Sequence, residues 1–161
     1  MTIQVGDKLP AAKLRRLTPE GIKEVSVAEL TGGKKVVLFA VPGAFTPTCS
    51  ERHLPGFVEQ AAALKAKGVD TIACMAVNDA FVMGAWGKAQ NAGDKVMMLA
   101  DGSAAYSKSL GLELDLTARG MGMRCKRFSL LVDNGVVKAV NVEPAPGEAK
   151  VSGAENMLGM I

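Results

Sequence analysis

Histidine and cysteine are scarce in this sequence, and their scarcity limits the chemistry that the protein can carry. The chain has one histidine, His53, and three cysteines, Cys49, Cys74 and Cys125, with no C-x-x-C pair among them. An odd number of cysteines without such spacing argues against a structural disulfide framework. A serine triad would have to use His53 as its base, and no cysteine or histidine spacing fits a zinc site. We therefore expect no bound metal.

Long hydrophobic runs and clustered charges are also missing. No stretch approaches about 18 consecutive apolar residues, so the sequence predicts no membrane-spanning helix. The first residues carry neither a basic nor an apolar segment, so we expect no signal peptide and a cytoplasmic protein. The 19 lysines and arginines are scattered and leave a net charge of only +3. Their densest cluster, Arg124, Lys126 and Arg127, is too small to indicate nucleic-acid binding.

What the sequence does contain is the composition of a folded domain. Its 161 residues are 48% hydrophobic and 22% charged, which is an ordinary globular balance. We expect a single domain over residues 1–161, because this length fits one domain and is enough to bury a core. The high apolar content and low net charge argue against disorder.

Runs rich in β-branched residues alternate with helical patterns along the chain. The predicted elements, in chain order, are strands over 12–17, 22–26, 35–41, 71–77 and 96–100, a helix after each of the last three, a hairpin over 127–132 and 136–142, and a helix ending at 161. Such alternation predicts an α/β fold. We expect a central mixed sheet flanked by helices, close to the thioredoxin arrangement, with the N-terminal β-hairpin as an extension.

Local signals set the expected ends and faces of several elements. Asp79 is expected to cap the helix after strand 71–77. The predicted buried stripe of that helix comprises Phe81, Val82, Ala85, Trp86 and Ala89. Ser152 and Glu155 have the spacing of a capping box for the final helix. The tripeptide 133–135, Asp-Asn-Gly, is a strong hairpin turn signal.

Cys49 lies where a predicted strand has ended and a helix begins. In open α/β sheets the reactive site usually lies beyond the carboxyl ends of the strands. The free N–H groups and the dipole at a helix N-terminus favour a thiolate over a thiol. Pro55 interrupts the helix that follows, so we expect the turn carrying Cys49 to be separable from it. Position alone leaves open the alternative of a buried structural cysteine.

The residues around Cys49 favour the reactive interpretation. Pro42, Thr46 and Cys49 form the pattern P-x-x-x-T-x-x-C. With this pattern the sequence resembles the peroxiredoxins, and more narrowly their type II or fifth subfamily. The resemblance spans nearly the whole chain. It is carried by segments 41–47 (VPGAFTP), 54–57 (LPGF), 77–82 (VNDAFV), 99–101 (LAD) and 127–129 (RFS).

The resemblance implies a thioredoxin-like thiol peroxidase that reduces hydrogen peroxide and alkyl hydroperoxides without metal, haem or flavin. By motif position, Cys49 is the nucleophile that becomes a sulfenic acid, and the Thr46 hydroxyl binds the peroxide oxygens. Pro42 shields the thiolate, and Arg127 holds thiolate and peroxide together. A fixed cation and aimed donors would stabilise the charge that moves onto the leaving oxygen. A surface cation at a strand start is the alternative for Arg127.

Other residues near Cys49 are assigned smaller parts. His53 lies four residues on, on the same helical face. A Cys–His dyad is one interpretation, but the members of such dyads usually come from separate elements, so a supporting or packing place is favoured. Phe45 is assigned a supporting place in the motif loop. Met121 and Met123 alternate with glycines in a predicted loop, which we expect to form a flexible rim.

The sequence lacks one cysteine that some members of the subfamily carry. They have a resolving cysteine near the stretch that here is 149–152, but no cysteine follows Cys125. Cys74 is expected to be a core residue and Cys125 a semi-exposed thiol, and either is a possible resolver. Similarity to plant type II members at 111–116 (GLELDL) instead implies an external thiol, glutathione with glutaredoxin first and thioredoxin second. The family also implies a homodimer.

Two functions from other classes compete with a peroxidase. A thioredoxin-type dithiol oxidoreductase is disfavoured, because Cys49 is followed by Ser50–Arg52 and not by the second cysteine of a C-x-x-C motif. A binding or chaperone module that keeps the fold without the chemistry would not need Pro42, Thr46, Cys49 and Arg127 together.

Overall fold

The structure is a computed structural model that describes residues 2–161. Its strands are β1 (Lys13–Thr18), β2 (Gly21–Ser26), β3 (Lys35–Val41), β4 (Thr71–Ala76), β5 (Met97–Ala100), β6 (Glu113–Leu116), β7 (Gly122–Cys125), β8 (Phe128–Asp133) and β9 (Val136–Val142). Its α-helices are α1 (Val27–Thr31), α2 (Leu54–Ala66), α3 (Ala80–Ala89), α4 (Ala105–Ser109) and α5 (Ala154–Leu158). A π-helical turn, Cys49–His53, precedes α2, and a 3₁₀ turn, Thr117–Arg119, lies between β6 and β7.

Seven strands form one mixed sheet in the order β2-β1-β5-β4-β3-β8-β9. The strands β3, β4 and β5 are parallel, as their continuous apolar runs predict, while β1 and β8 add antiparallel neighbours. The β8–β9 turn places Asn134 and Gly135 at φ 49° and 81°, which matches the hairpin signal. The predicted mixed sheet and N-terminal β1–β2 hairpin are confirmed.

The central strand β3 separates two apolar layers, because alternate residues of a strand point to opposite faces. Val37, Phe39 and Val41 pack in the layer that holds Cys49, α2 and α3. The intervening residues of β3 pack in the other layer, with α1, α4 and Cys125. The carboxyl end of β3 therefore delivers the loop with Cys49 onto the α2 side of the sheet.

The buried face of α3 differs from the predicted stripe. Asp79 caps this helix as predicted, with the Val82 N–H donating to its Oδ1 at 2.9 Å. Phe81, however, is 63% exposed, and Met83 and Gly87 are buried in its place. A Cβ added to Gly84 or Gly87 would lie 2.6 Å from a side-chain atom of the sheet. The helix therefore docks through its glycine face, which a count of large apolar residues overlooks.

Two further predictions near the C-terminal half are wrong. The final helix begins at Ala154 after Gly153, with no side-chain cap, because Ser152 is buried and donates to Glu143 instead. Of the predicted loop, Met121 lies outside any strand, but Met123 lies in the strand Gly122–Cys125, which pairs with Glu113–Leu116 in a two-stranded sheet. Main-chain pairing in a hairpin orders a stretch whose glycines alone indicate mobility.

Candidate active site

The loop after β3 carries the P-x-x-x-T-x-x-C pattern across the end of the sheet. Pro42 is buried, and the Thr46 hydroxyl donates to the carbonyl of Gly43 at 2.6 Å. The side chain of Asn78, after β4, accepts from the Ala44 N–H at 2.9 Å. Phe45 has a φ of 64° and a side chain that is 55% exposed. A bulky residue rarely adopts this left-handed conformation, and here it lies in the turn just before the helix.

Cys49 lies in the first turns of a helix, as predicted, but the local geometry is wider than an α-helix. Pro47 and Thr48 are already helical, and Cys49–His53 forms a π-helical turn in which the Leu54 N–H donates to the Cys49 carbonyl. Pro55 comes directly after this turn and has no N–H for the α-helical bond to residue 51. The wide turn therefore joins the Cys49 segment to α2 where the helical bonding is already interrupted.

Arg127 lies directly against the thiol of Cys49. Its Nη2 donates to Sγ at 3.0 Å, and the two residues are 2% and 0% exposed. Its Nε donates to the Pro146 carbonyl at 3.0 Å. All the ion pairs within residues 2–161 join exposed side chains, and none includes Arg127. A buried cation without a carboxylate partner is costly, and the sulfur of Cys49 is the acceptor that the structure places against it. Arg127 is thus not a surface cation.

His53 packs behind Arg127 and does not form a dyad with Cys49. Its Nδ1 lies 3.0 Å from Nη1 of Arg127, and its Nε2 lies 3.0 Å from the Ser152 carbonyl. Because a guanidinium only donates, Nδ1 must accept, and the ring proton on Nε2 is donated to Ser152. Burial, and then the charge of Arg127, lower the pKa of His53 to about 3, opposed by the Ser152 hydrogen bond. His53 is therefore neutral at physiological pH.

Aromatic rings and a tryptophan hydrogen bond support this region from the α2 side. Phe39 of β3 stacks on Phe57 of α2 with ring centroids 4.0 Å apart, and its ring also contacts His53 at 4.9 Å. The indole N–H of Trp86 donates to the hydroxyl of Ser50, inside the π-turn, at 3.0 Å. The single tryptophan of the chain thus reports on the turn that holds the candidate nucleophile.

The other two cysteines are deeply buried. Cys74 lies in β4 and Cys125 in β7, both 0% exposed. Burial raises the pKa of Cys74 well above its usual range and that of Cys125 to about 12, so both are neutral thiols. The Cys125 thiol donates to the Val41 carbonyl at 3.1 Å. The expectation of a semi-exposed Cys125 is wrong, because the β6–β7 hairpin folds its side chain into the second core layer.

Arg124 binds the loop that follows β3 through a hydrogen bond from its guanidinium. It was not among the predicted site residues. Its Nε donates to the Met121 carbonyl at 2.8 Å, and its Nη1 donates to Val77 and Pro42 carbonyls at 3.3 and 3.5 Å. A Cβ on Gly43 would lie 3.2 Å from this Nη1. Arg124 therefore ties β7 to the carboxyl ends of β3 and β4. Its place in a small basic cluster is the one sequence signal that could have pointed to it.

Over residues 2–161, no group of three or more histidine, cysteine, aspartate or glutamate side chains is arranged to hold a metal ion. The same part of the chain contains no helix that is both long and apolar enough to span a membrane.

A mixed sheet with helices on both faces, and a cysteine beside an arginine at the end of a parallel strand, define a thiol oxidoreductase of the thioredoxin-like class. A family model described as Redoxin matches residues 4–158. Peroxiredoxin-2E-2, chloroplastic, from Oryza sativa subsp. japonica is 55% identical over 162 residues, which cover 98% of this chain and 72% of that protein. Peroxiredoxin-2C from the same organism is 53% identical over 157 residues, which cover 97% and 96%.

Solved structures agree with these relatives. The crystal structure of reduced Prx3 in complex with H₂O₂ from Vibrio vulnificus is 57% identical, with a TM-score of 0.93 over 98% of each chain. The chain belongs to the peroxiredoxins, which are thiol peroxidases. The expected family, the thioredoxin-like fold and the enzyme class are confirmed, and the non-catalytic and dithiol alternatives are set aside.

Proposed function

We propose that this peroxiredoxin reduces hydrogen peroxide and alkyl hydroperoxides through a sulfenic acid on Cys49, and that an external thiol recycles it. The observation that carries the proposal is the buried contact of 3.0 Å between Arg127 and the Cys49 thiol. A cation held there favours the thiolate and keeps it close to a bound peroxide. The Vibrio vulnificus relative with H₂O₂ bound supports the choice of peroxide as substrate.

The chemical step is a displacement at oxygen. The Cys49 thiolate attacks the peroxide oxygen that carries a hydrogen. An S–O bond forms while the O–O bond breaks. The attacked oxygen keeps its hydrogen, so the product on the protein is Cys–SOH. The other oxygen departs with the electron pair and takes up a proton to become water or an alcohol. Arg127 stabilises the charge on that leaving oxygen. His53 does not serve as the base, because its ring nitrogens are engaged by Arg127 and by the Ser152 carbonyl.

Thr46 and Pro42 shape the place where the peroxide binds. The Thr46 hydroxyl proton is engaged by Gly43, but the oxygen keeps a free lone pair that can accept the hydrogen of a peroxide. The hydroxyl can also rotate to donate to a peroxide oxygen. Buried Pro42 offers no N–H and excludes water from one side of the thiolate.

Recycling by glutathione with glutaredoxin is the favoured route. Cys74 and Cys125 are buried in strands and are neutral, so neither is ready to attack a sulfenic acid on Cys49. Cys49 itself is 0% exposed, and a thiol much larger than a peroxide needs the π-turn to open. The irregular bonding between Cys49 and Pro55 supports such an opening.

Peroxide turnover with three reducing systems tests the proposal. We expect the fastest turnover with glutathione plus glutaredoxin, slower turnover with thioredoxin, and little with glutathione alone. The Cys49→Ser variant is the control and should be inactive in all three. Equal or faster turnover with thioredoxin would overturn the choice of reductant, whereas activity of Cys49→Ser would overturn the nucleophile.

A second route keeps the peroxidase but uses Cys74 or Cys125 as resolver with thioredoxin as reductant. It is favoured only by the position of Cys74, which lies in the same core layer as Cys49. A disulfide requires Cα atoms within about 7 Å, so this route depends on a close approach of Cys49 to β4 or β7 after oxidation. A Cys49–Cys74 or Cys49–Cys125 disulfide after peroxide treatment would establish this route.

We also propose a homodimer, as the sequence resemblance implies, and, as a separate proposal, the cytoplasmic location expected from the sequence. The exposed rings of Phe45 and Phe81, 55% and 63% accessible, support an apolar contact with a second copy. Sedimentation at several protein concentrations tests the dimer, and a Phe81→Glu variant should shift the chain toward the monomer.

A further inference from the structure

Glu143 is a buried carboxylate that the proposed chemistry does not use. It follows β9, is 5% exposed, and its main-chain N–H donates to the Arg127 carbonyl at 2.9 Å. Its Oε2 accepts from the main-chain N–H and the hydroxyl of Ser152 at 2.7 and 2.5 Å. Its Oε1 has no hydrogen-bond partner. Burial of a carboxyl group with one oxygen unpaired costs free energy, so we looked to its neighbours for an interaction that explains its position.

The two donors of Ser152 connect this carboxylate to the candidate nucleophile. The Ser152 carbonyl accepts from His53 Nε2, and His53 Nδ1 accepts from Arg127, whose other nitrogen donates to Cys49. Each link is a hydrogen bond of about 3.0 Å between residues that are at least nine-tenths buried. The chain of contacts runs from Glu143 through Ser152, His53 and Arg127 to Cys49.

Glu143 is also where the segment that covers Arg127 begins. Arg127 Nε donates to Pro146, and the Thr48 hydroxyl donates to the Gly147 carbonyl at 2.9 Å. Residues 144–151 contain no helix or strand and have few bonds of their own. The two bonds between Glu143 and Ser152 therefore close this segment into a loop across the Arg127 side of the site.

We propose that Glu143 is a positioning residue for the peroxidase reaction. It holds Ser152 so that the serine carbonyl fixes His53, and through His53 the guanidinium of Arg127 beside the Cys49 thiolate. The proposal rests on the proposed function, because Arg127 matters only if Cys49 is the nucleophile. It goes further in assigning the orientation of Arg127 to a carboxylate outside the P-x-x-x-T-x-x-C pattern.

Two substitutions at Glu143 separate positioning from simple packing. Glu143→Leu fills similar space but accepts no hydrogen bond, whereas Glu143→Gln keeps an oxygen that can accept from Ser152. The matched control is Glu148→Gln, which removes a carboxylate from the same segment at a more exposed position. Ser152→Ala removes one of the two donors and provides a milder variant if Glu143→Leu does not fold.

The measurements are the titration of the Cys49 thiolate and the rate of its oxidation by hydrogen peroxide. Thiolate is followed by ultraviolet absorbance against a Cys49→Ser reference, and oxidation by stopped-flow fluorescence of Trp86. In Glu143→Leu we expect the titration midpoint to rise and the rate at pH 7 to fall about tenfold, because misplaced reacting groups lose rate steeply. Ser152→Ala should change both in the same direction, less strongly.

Glu143→Gln and Glu148→Gln distinguish a loss of positioning from a general loss of stability. Glu143→Gln should recover most of the rate, and Glu148→Gln should match the wild type. A folded Glu143→Leu or Ser152→Ala with lower urea stability but an unchanged pH profile and rate would overturn the positioning role. If the wild type itself shows no peroxide-dependent change at Cys49, the proposed function fails instead, and the two failures are distinguished.

Discussion

Acid should lower the unfolding free energy of this protein through the protonation of His53. The pKa of His53 is about 3 in the folded chain against 6.5 ordinarily, because burial and Arg127 oppose its protonation. Below pH 6.5 the unfolded chain takes up a proton that the folded chain refuses until about pH 3. Stability contributed by neutral His53 is therefore present above pH 6.5 and lost as the pH falls, by about 1.4 kcal/mol for each pH unit.

A non-titrating replacement isolates this contribution. Glutamine at position 53 can donate to the Ser152 carbonyl and accept from Arg127, as neutral histidine does, but carries no titrating ring. Between pH 7 and pH 5 the wild type should lose about 2 kcal/mol more unfolding free energy than His53→Gln, because the unfolded histidine is only partly protonated at pH 7. Urea unfolding at both values measures the difference.

The comparison cancels the other titrating groups, since both proteins carry the same carboxylates and thiols. Equal losses in the two proteins over this interval would refute the assignment of His53 as a buried neutral ring. A larger loss in His53→Gln would do the same, since it would place the acid-sensitive group elsewhere.

The remaining predictions concern the thiolate, the peroxide contact and the packing of α3. Arg127→Gln should slow peroxide attack by about tenfold or more and raise the midpoint of the Cys49 thiolate titration, because a fixed cation is lost. Identical stopped-flow pH profiles for this variant and the wild type would count against the role of Arg127. Thr46→Val should slow attack with little change in that titration, because it removes a hydrogen bond and no charge. Gly87→Ala should lower the free energy of unfolding in urea by about 1 kcal/mol, since its Cβ would lie 2.6 Å from a methionine of β5. Gly56→Ala in α2, where a Cβ would face open space, should instead raise it by about 0.5–1 kcal/mol. The reverse order would contradict the docking of α3 through its glycine face.

The sheet could be predicted from the sequence because its central strands are buried on both faces. Continuous apolar runs marked β3, β4 and β5 nearly to the residue, and the Asn134–Gly135 turn marked the β8–β9 hairpin. The face of α3 could not be predicted in this way, because it is set by which side chains of the sheet approach Gly84 and Gly87. Which sheet side chains lie against the helix is determined by the tertiary fold and not by the local sequence of α3.

The site was predictable as far as its residues lie in one stretch of chain. The pattern from Pro42 to Cys49 pointed to the nucleophile, and the family resemblance added Arg127, which lies far along the chain in the short connection between β7 and β8. Glu143 and Ser152 gave no usable signal, since Ser152 is spaced as a helix cap and only the tertiary fold turns its donors toward Glu143. The neutral state of His53 likewise depends on burial and on its partners in space.

Cys49 as the thiol that peroxide oxidises is tested most directly by intact-mass spectrometry after one equivalent of hydrogen peroxide. We predict a gain of one oxygen located on Cys49, replaced by one glutathione when that thiol is present, and no change in Cys49→Ser. The Cys74→Ala, Cys125→Ala double variant should behave as the wild type does. Loss of two hydrogens without added oxygen, mapped to a disulfide between Cys49 and Cys74 or Cys125, would contradict the external-thiol mechanism, and oxidation of Cys49→Ser at another cysteine would contradict the choice of nucleophile.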